Sequence, residues 1–504
     1  MSVYTKEDIA KIYDDLINSA FAYYAKGQFG DALNDIMTAA NWAYHFNHIY
    51  TDPNVESLLR KISDDTIESV TIDKPKENHC VLLDSFLVDN RGLSQQYIRA
   101  IIAQGMRLLV ILTKEGGCIG QDIRLEIEAY DKGKIVSYPQ GIDQIDEASQ
   151  IVREIKDFEP SLIFLHLSPW DVVALLACQA IKGVAKYQIN LTDHAYWLGA
   201  SFIDYCLEFR PYGMSVSLEK RYLKQGQLLA LPFYPIRPLT RQFEGFPDLP
   251  SDAIKVFTGG ALYKMLGKDN VFFRIMERIL GINPHVYILV AGFEPDSRFD
   301  ENVSKINGGE RVKQIGVRHD IDAVFDHCDI YLGTYPMMGG LMCQYAALHG
   351  KPLVAYREKN DVMNATEEMV NFYQKEYRSF TDLNELTVYT ERLITDLEFR
   401  NNQGALLKRG MMTVDRFNNE FLQIINTHCS SFVWEKDEIN YDSFFERYLE
   451  LEITNGFSAT RDMVASQGLK VFLKLKRSKY KVLGVLFRSI IDRPPRRLFR
   501  RLFK

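Results

Sequence analysis

The chain has 504 residues, 46% of them hydrophobic and 25% charged, with a formal net charge of -6. That length is too great for a single core and implies two or three domains of ordinary globular composition. Seven cysteines, none in a Cys-x-x-Cys pair, argue against a disulfide framework or a zinc site and suit a reducing compartment. No uninterrupted apolar run approaches the ~18–20 residues needed to span a bilayer, and the opening Met-Ser-Val-Tyr-Thr-Lys has no basic-then-apolar leader pattern.

Residues 5–66 read as helices, with Ile9, Ile12, Tyr13, Ile17 and Ala20 at helical spacing. Tyr23, Tyr24, the turn glycine Gly27 and the small residues Ala39, Ala40 and Ala43 resemble one tetratricopeptide-like hairpin. His45 and His48 lie one helical turn apart with no carboxylate ligand nearby in the sequence and read as structural. From Cys80 the pattern becomes strand, helix, strand. Strands are expected at 80–84, 108–112, 134–137, 162–167 and 187–191, and helices at 142–158 and 172–181. Pro232, Pro235, Pro238, Pro247 and Pro250 mark 232–251 as a linker. A second alternating series follows, with strands at 254–257, 286–290, 312–317, 330–332 and 353–356, then helices from 364 to 428. The expected fold is α/β: two Rossmann-like domains with an N-terminal α-helical cap and a basic C-terminal tail. The expected divisions are 1–70, 71–240, 241–430 and 431–504, with a ligand cleft facing the carboxyl ends of both sheets.

Three loops carry candidate chemistry. Val256-Phe-Thr-Gly259-Gly260-Ala-Leu-Tyr263-Lys264 ends a buried strand in two glycines, where backbone approaches an anion and a lysine adds a point charge. In 330–356, Thr334, Gly339 and Gly340 precede an apolar helix whose N-terminus is an anion site, and Gly350 and Pro352 end it. Asn190-Leu-Thr-Asp193-His194-Ala-Tyr-Trp197-Leu-Gly199 follows a strand of the first domain. These motifs resemble GT-B glycosyltransferases, most closely the O-linked N-acetylglucosamine transferase and bacterial adhesin glucosyltransferase group. There the Tyr-Lys pair supplies the pyrophosphate lysine, and an Asp-His-x-Phe-Trp-Leu-Gly loop faces the donor sugar.

The resemblance implies that Lys264, Tyr263, Gly259, Gly260, Thr334, Gly339, Gly340, Gln344 and His319 bind the donor. It implies that His194 and Asp193 are catalytic and that Arg210 and Arg221 stand on the acceptor side; Gly92, in the Asn90-Arg91-Gly92 segment after the first strand, either lines the acceptor side too or is a simple turn. Asp204 and Ser217 echo the family's polar residues after the loop. One departure is that Gln344 and Tyr345 stand where many such proteins put the acid that binds ribose, and Gly339-Gly340 replaces a Thr-Thr pair. The implied function is a metal-independent, inverting hexosyltransferase of bacterial type. It would need no cofactor and would move a sugar from a nucleotide donor, UDP-linked, to a protein or a lipid-linked glycan of a surface polysaccharide. Two alternatives stay open: a non-catalytic GT-B partner of a glycosylation complex, and a UDP-sugar epimerase of GT-B shape.

From Lys470 to Lys504 there are thirteen Lys or Arg against Asp492. A stretch of about +12 interleaved with apolar residues reads as an anchor to anionic lipid. A cytoplasmic enzyme at the inner face of the membrane is the implied location, and nucleic acid is not an expected partner of the otherwise acidic body. On this reading, deleting 470–504 would abolish liposome binding and leave soluble turnover intact.

Overall fold

A computed structural model describes residues 4–89, 93–113, 119–237, 242–454, 456–476 and 478–492. Among them, two wholly parallel sheets organise the chain. The first runs Gly133–Val136, Arg107–Leu112, Lys76–Asp84, Pro160–His166, Ala185–Ile189, Tyr205–Glu208, Leu228–Ala230. The second runs Val312–Gln314, Val286–Ala291, Ile254–Gly259, Ile330–Leu332, Leu353–Val354. In each, strand order reverses beside the first strand, which places a crevice at its carboxyl end. Asp84 ends the first strand of the first sheet and Gly259 that of the second.

The sequence reading misses two strands of the first sheet, Tyr205–Glu208 and Leu228–Ala230. The first of these carries Glu208, a residue that ordinarily marks a loop. Here it is wholly buried, and its carboxylate accepts hydrogen bonds from Asn190 Nδ2 at 2.9 Å and Ser217 Oγ at 2.5 Å. The strand expected over 312–317 stops at Gln314, because Gly316 turns the chain at φ +69°.

The proline-rich stretch is not a solvated hinge. Leu231, Phe233, Tyr234 and Ile236 are buried. Their carbonyls bind both domains: Gln96 Nε2 donates to Tyr234 at 2.7 Å, Gln344 Nε2 to Phe233 at 3.1 Å, and Tyr345 Oη to Ile236 at 2.5 Å. The chain then returns. Helix Val414–Thr427 covers the first sheet, with Phe417 edge-on to Tyr97 at 5.3 Å and Phe421 against Phe164 at 5.5 Å.

The N-terminal helices Lys6–Tyr24, Phe29–Phe46 and Pro53–Thr66 form one core with the first domain and with the C-terminal segment after Phe457. The first and third are capped by side chains: Thr5 and Asp8 form a reciprocal box, and Asp52 accepts from Asn54 and Val55. His45 pairs with Glu452 at 2.9 Å, and burial lowers the His48 imidazole to about 4, so both histidines serve structure.

The basic tail is corrected by this packing. Val471, Leu475, Val482, Val485 and Leu486 are buried against the cap. Lys474 Nζ lies 2.5 Å from buried Asp35, and Lys481 is 3.5 Å from Asp8. Most of the apolar stripe over 470–492 is therefore internal core, so deleting 470–504 would not spare the soluble protein. Leu473, Tyr480 and Phe487 stay exposed. No helix among the described residues is long and apolar enough to cross a membrane. Of the seven cysteines, the six that are described are all unpaired.

Candidate active site

A cleft of about 550 Å³ opens at the carboxyl edge of the second sheet, with Val88 and Asp89 of the first domain on its opposite wall. Gly259, Gly260, Lys264 and His319 line it together. Strand Ile254–Gly259 delivers the glycines because Val256 and Phe257 anchor it in two separate cores. The neighbouring loop crosses so closely that a Cβ on Gly292, at φ +107°, would meet the Gly260 carbonyl at 2.5 Å.

Lys264 ends a one-turn helix, Leu262–Lys264. Lys264 is half-buried at the cleft wall, and desolvation lowers the pKa of its ammonium. Nζ donates to the Met338 carbonyl at 3.3 Å. Two residues on begins helix Gly340–Leu348, whose N-cap Gly339 offers no side-chain cap. Leu341 and Met342 of that first turn line the cleft. A desolvated cation and an uncapped helix N-terminus therefore face one space, an arrangement that suits a multivalent anion.

Several expected donor residues are placed elsewhere. Gln344 is fully buried, donating to the carbonyls of Phe233 and Met369. One residue further round the helix, Tyr345 lines the cleft instead. The Thr334 hydroxyl is spent inside its own loop, donating to Met337 O at 2.6 Å. Tyr263 faces a separate pocket with Leu262, Phe293 and Arg298. His319 is displayed because Arg318 beside it is clamped by Asp320 at 2.5 Å and Gly245 O at 2.7 Å.

Across the junction, the loop after strand Ala185–Ile189 presents His194, 29% exposed, with Nδ1 3.1 Å from Asp193 Oδ1. A carboxylate at Nδ1 holds that nitrogen protonated and leaves Nε2 as the acceptor. Asp193 is buried under a two-pronged contact with Arg210, made by Nε to Oδ2 and by Nη2 to Oδ1 at 3.1 Å. Burial opposes its ionisation, but Arg210 and His194 hold the carboxyl well below the usual carboxylate range.

Arg210 and Arg221 are themselves 3% and 2% exposed, so neither meets an acceptor. Arg221 fastens the loop from behind, donating to the carbonyls of Asp193 at 3.0 Å and Ala195 at 2.6 Å. Asp204 accepts from Lys186 N and Ser217 donates to Glu208, both inside the domain. Gly92 lies outside the described residues.

The loop is also locked by groups that sequence reasoning missed. Asn47 Nδ2 donates to His194 O at 2.9 Å, and Tyr448 stacks on the His194 ring at 6.3 Å. Glu56 of the cap accepts from the backbone N–H groups of Gly199, Ala200 and Ser201 at 2.9, 3.0 and 2.6 Å. None of these has a motif; they are brought close by the cap and the C-terminal helix Tyr441–Thr454.

His194 does not line the Lys264 cleft, but a continuous path joins them. Lys264 reaches Met338 O, and Met338 N donates to Asn364 Oδ1 at 2.8 Å. The preceding Met363 carbonyl accepts from Arg210 Nη1 at 2.7 Å, and Arg210 holds Asp193. Among the described residues no group of three or more His, Cys, Asp or Glu is placed to hold a metal ion.

Replacing Arg210 with leucine leaves Asp193 buried with His194 as its remaining side-chain partner. The expected loss is about 3–5 kcal/mol of stability near neutral pH. Asp193 has a depressed folded pKa, so it contributes stability above its unfolded value of about 3.9 that is lost as pH falls through the folded value. In the variant His194 alone opposes burial and the carboxyl is held down less, so the gap between the two proteins should narrow on acidification. Urea denaturation at pH 7 and pH 4 reads this directly, and an equal gap at both would remove the pair from the account.

No family model matches the sequence, and no curated protein is significantly similar to it. Solved structures do align. A Thermobaculum terrenum O-GlcNAc transferase mutant superposes with TM-score 0.52 at 14% identity, over 87% of this chain and 85% of that one. A Rickettsia africae glycosyltransferase gives 0.51 at 12% identity, over 69% and 98%. S. aureus TarM, in complex with fondaparinux, α-GlcNAc-glycerol and UDP, gives 0.50 at 8% identity, over 69% and 100%. With its two facing Rossmann-like domains and the cleft between them, this chain has the GT-B fold, elaborated by a helical cap that the C-terminal segment completes.

Proposed function

We propose that the protein transfers a hexose from a nucleotide sugar, UDP-linked, to a hydroxyl or amide acceptor with inversion. The observation that carries this reading is the meeting of Lys264 and the uncapped Gly340 helix at the strand-order reversal of the second sheet. The diphosphate would lie there, with the base against Tyr345 and His319. His194 Nε2 would take the acceptor proton as the acceptor atom bonds to the anomeric carbon and the carbon–oxygen bond to the diphosphate breaks. The leaving electron pair stays on the diphosphate, where Lys264 and the helix N–H groups stabilise it. O-GlcNAc transferase and the UDP complex of TarM, named among the aligned structures, support the choice of donor.

Release of UDP should be seen when a panel of UDP-hexoses is offered with glycan and peptide acceptors. His194→Ala should lower that rate by about 10²–10⁴-fold, the usual size of a general-base effect, with UDP affinity unchanged. Equal rates would remove His194 from the chemistry. Burial of Gln344 favours a second reading, a nucleotide-binding partner without turnover, since this helix then offers ribose no carboxamide. UDP binding with no UDP release under any acceptor would select it. Exposed Leu473, Tyr480 and Phe487 beside basic residues support contact with an anionic membrane face.

A further inference from the structure

A second cavity, of about 280 Å³, lies at the carboxyl edge of the first sheet. Its polar floor comes from the ends of three adjacent strands: Ser85, Thr113 and Ser168. They converge on Asp171. Ser85 Oγ donates to Asp171 Oδ2 at 2.5 Å, Thr113 Oγ1 donates to the same oxygen, and Ala174 N donates to Oδ1 at 2.9 Å. Burial raises the Asp171 carboxyl against these hydrogen bonds. The walls are the half-buried rings of Trp170 and Phe86, and Met37 of the cap closes one side. Gln144 Nε2 reaches Met37 Sδ at 2.9 Å, so the cap is fastened at this rim.

Three properties define the occupant. The described lining residues carry two carboxyls, Asp171 and Glu147, and no lysine or arginine, a balance that disfavours an anionic occupant. A ring wall opposite clustered hydroxyls and a carboxyl suits a molecule with an apolar C–H face and a polar rim. The cavity also lies beside the reaction cleft: the loop after strand Lys76–Asp84 gives Ser85 and Phe86 to this cavity and Val88 and Asp89 to the cleft wall.

We infer that this cavity holds one neutral hexopyranose unit of the acceptor, which makes the acceptor a glycan. The inference rests on the glycosyl-transfer reading above. Its test uses the full chain and methyl pyranosides of glucose, galactose, mannose and N-acetylglucosamine, followed by saturation-transfer NMR. UDP affinity is measured in parallel by calorimetry. At least one pyranoside should receive saturation. Its affinity should fall about fivefold to tenfold in Trp170→Ala, the loss of one aromatic wall, while UDP affinity holds. Thr113→Val removes a hydroxyl at nearly constant volume and should weaken the same pyranoside if the alanine variant does not fold. UDP binding with no saturation of any pyranoside would overturn the cavity assignment. So would Trp170-dependent binding of a lysine-rich peptide in place of the sugars. Pyranoside binding without UDP binding would instead sink the transfer reading and keep the sugar site.

Discussion

Replacing Lys264 with methionine is expected to abolish donor use while leaving the protein at least as stable as before. The ammonium is half-buried, its pKa is lowered by desolvation, and its hydrogen-bond partner is the Met338 carbonyl. Among the described residues no carboxylate stands within ion-pair distance of it. A desolvated cation without a counter-charge adds little stability to the free protein. Methionine keeps the stem's packing and removes the charge, so the melting temperature should hold or rise. The leaving diphosphate loses its point charge, and removing such a group from a dry site costs about 10²–10³ in turnover. UDP affinity should weaken with it. A variant that melts well below wild type, with normal turnover, would show Lys264 to be a structural residue.

Truncation after Leu469 should be far more damaging than the tail's charge suggests. It removes Val471, Leu475, Val482, Val485 and Leu486 from the core that they share with the cap helices. At about 1.5–3 kcal/mol for each buried apolar side chain, the loss is on the order of 10 kcal/mol, comparable with the whole stability of an ordinary domain. It also strands Asp35, whose side chain is fully buried and pairs with Lys474. The cap should unfold, and with it the Asn47 and Glu56 contacts that hold the His194 loop. Thermal melts and limited proteolysis would show this. Replacing the exposed Leu473, Tyr480 and Phe487 with serine should leave the melt unchanged, and a truncated protein that melts like these variants would contradict the packing.

Much of the fold was legible in the sequence because parallel strands buried on both faces leave short apolar runs between helical periods. Both Rossmann-like domains were read in this way. Tyr205–Glu208 was not, since its buried glutamate is neutralised by partners from other elements rather than by sequence neighbours. The tail's contribution to the core was missed for a related reason. Basic residues interleaved with valines and leucines have the same pattern whether the apolar face meets lipid or protein, and only the third dimension brings Asp8 and Asp35 opposite it.

At the site, glycines and Lys264 announce themselves by type and spacing. Gln344 and Tyr345 could not be told apart, because adjacent helical positions diverge by about 100° and the sequence does not say which faces the cleft. Arg210 and Arg221 were placed on the acceptor side by the family resemblance, yet each is consumed behind the loop. Asn47, Glu56 and Tyr448 carry no motif, and their role exists only once the cap and the C-terminal helix fold over the first domain.

The central claim is that the cleft between the two sheets binds a nucleoside diphosphate through Lys264 and the Gly340 helix. Calorimetric titration of the intact protein with UDP, repeated on Lys264→Met, tests it most directly. The expected result is saturable one-to-one binding by wild type, weakened at least about tenfold in the variant, the worth of one charge-assisted contact. Undiminished UDP binding by the variant, or no binding of UDP by folded wild type, would contradict the account.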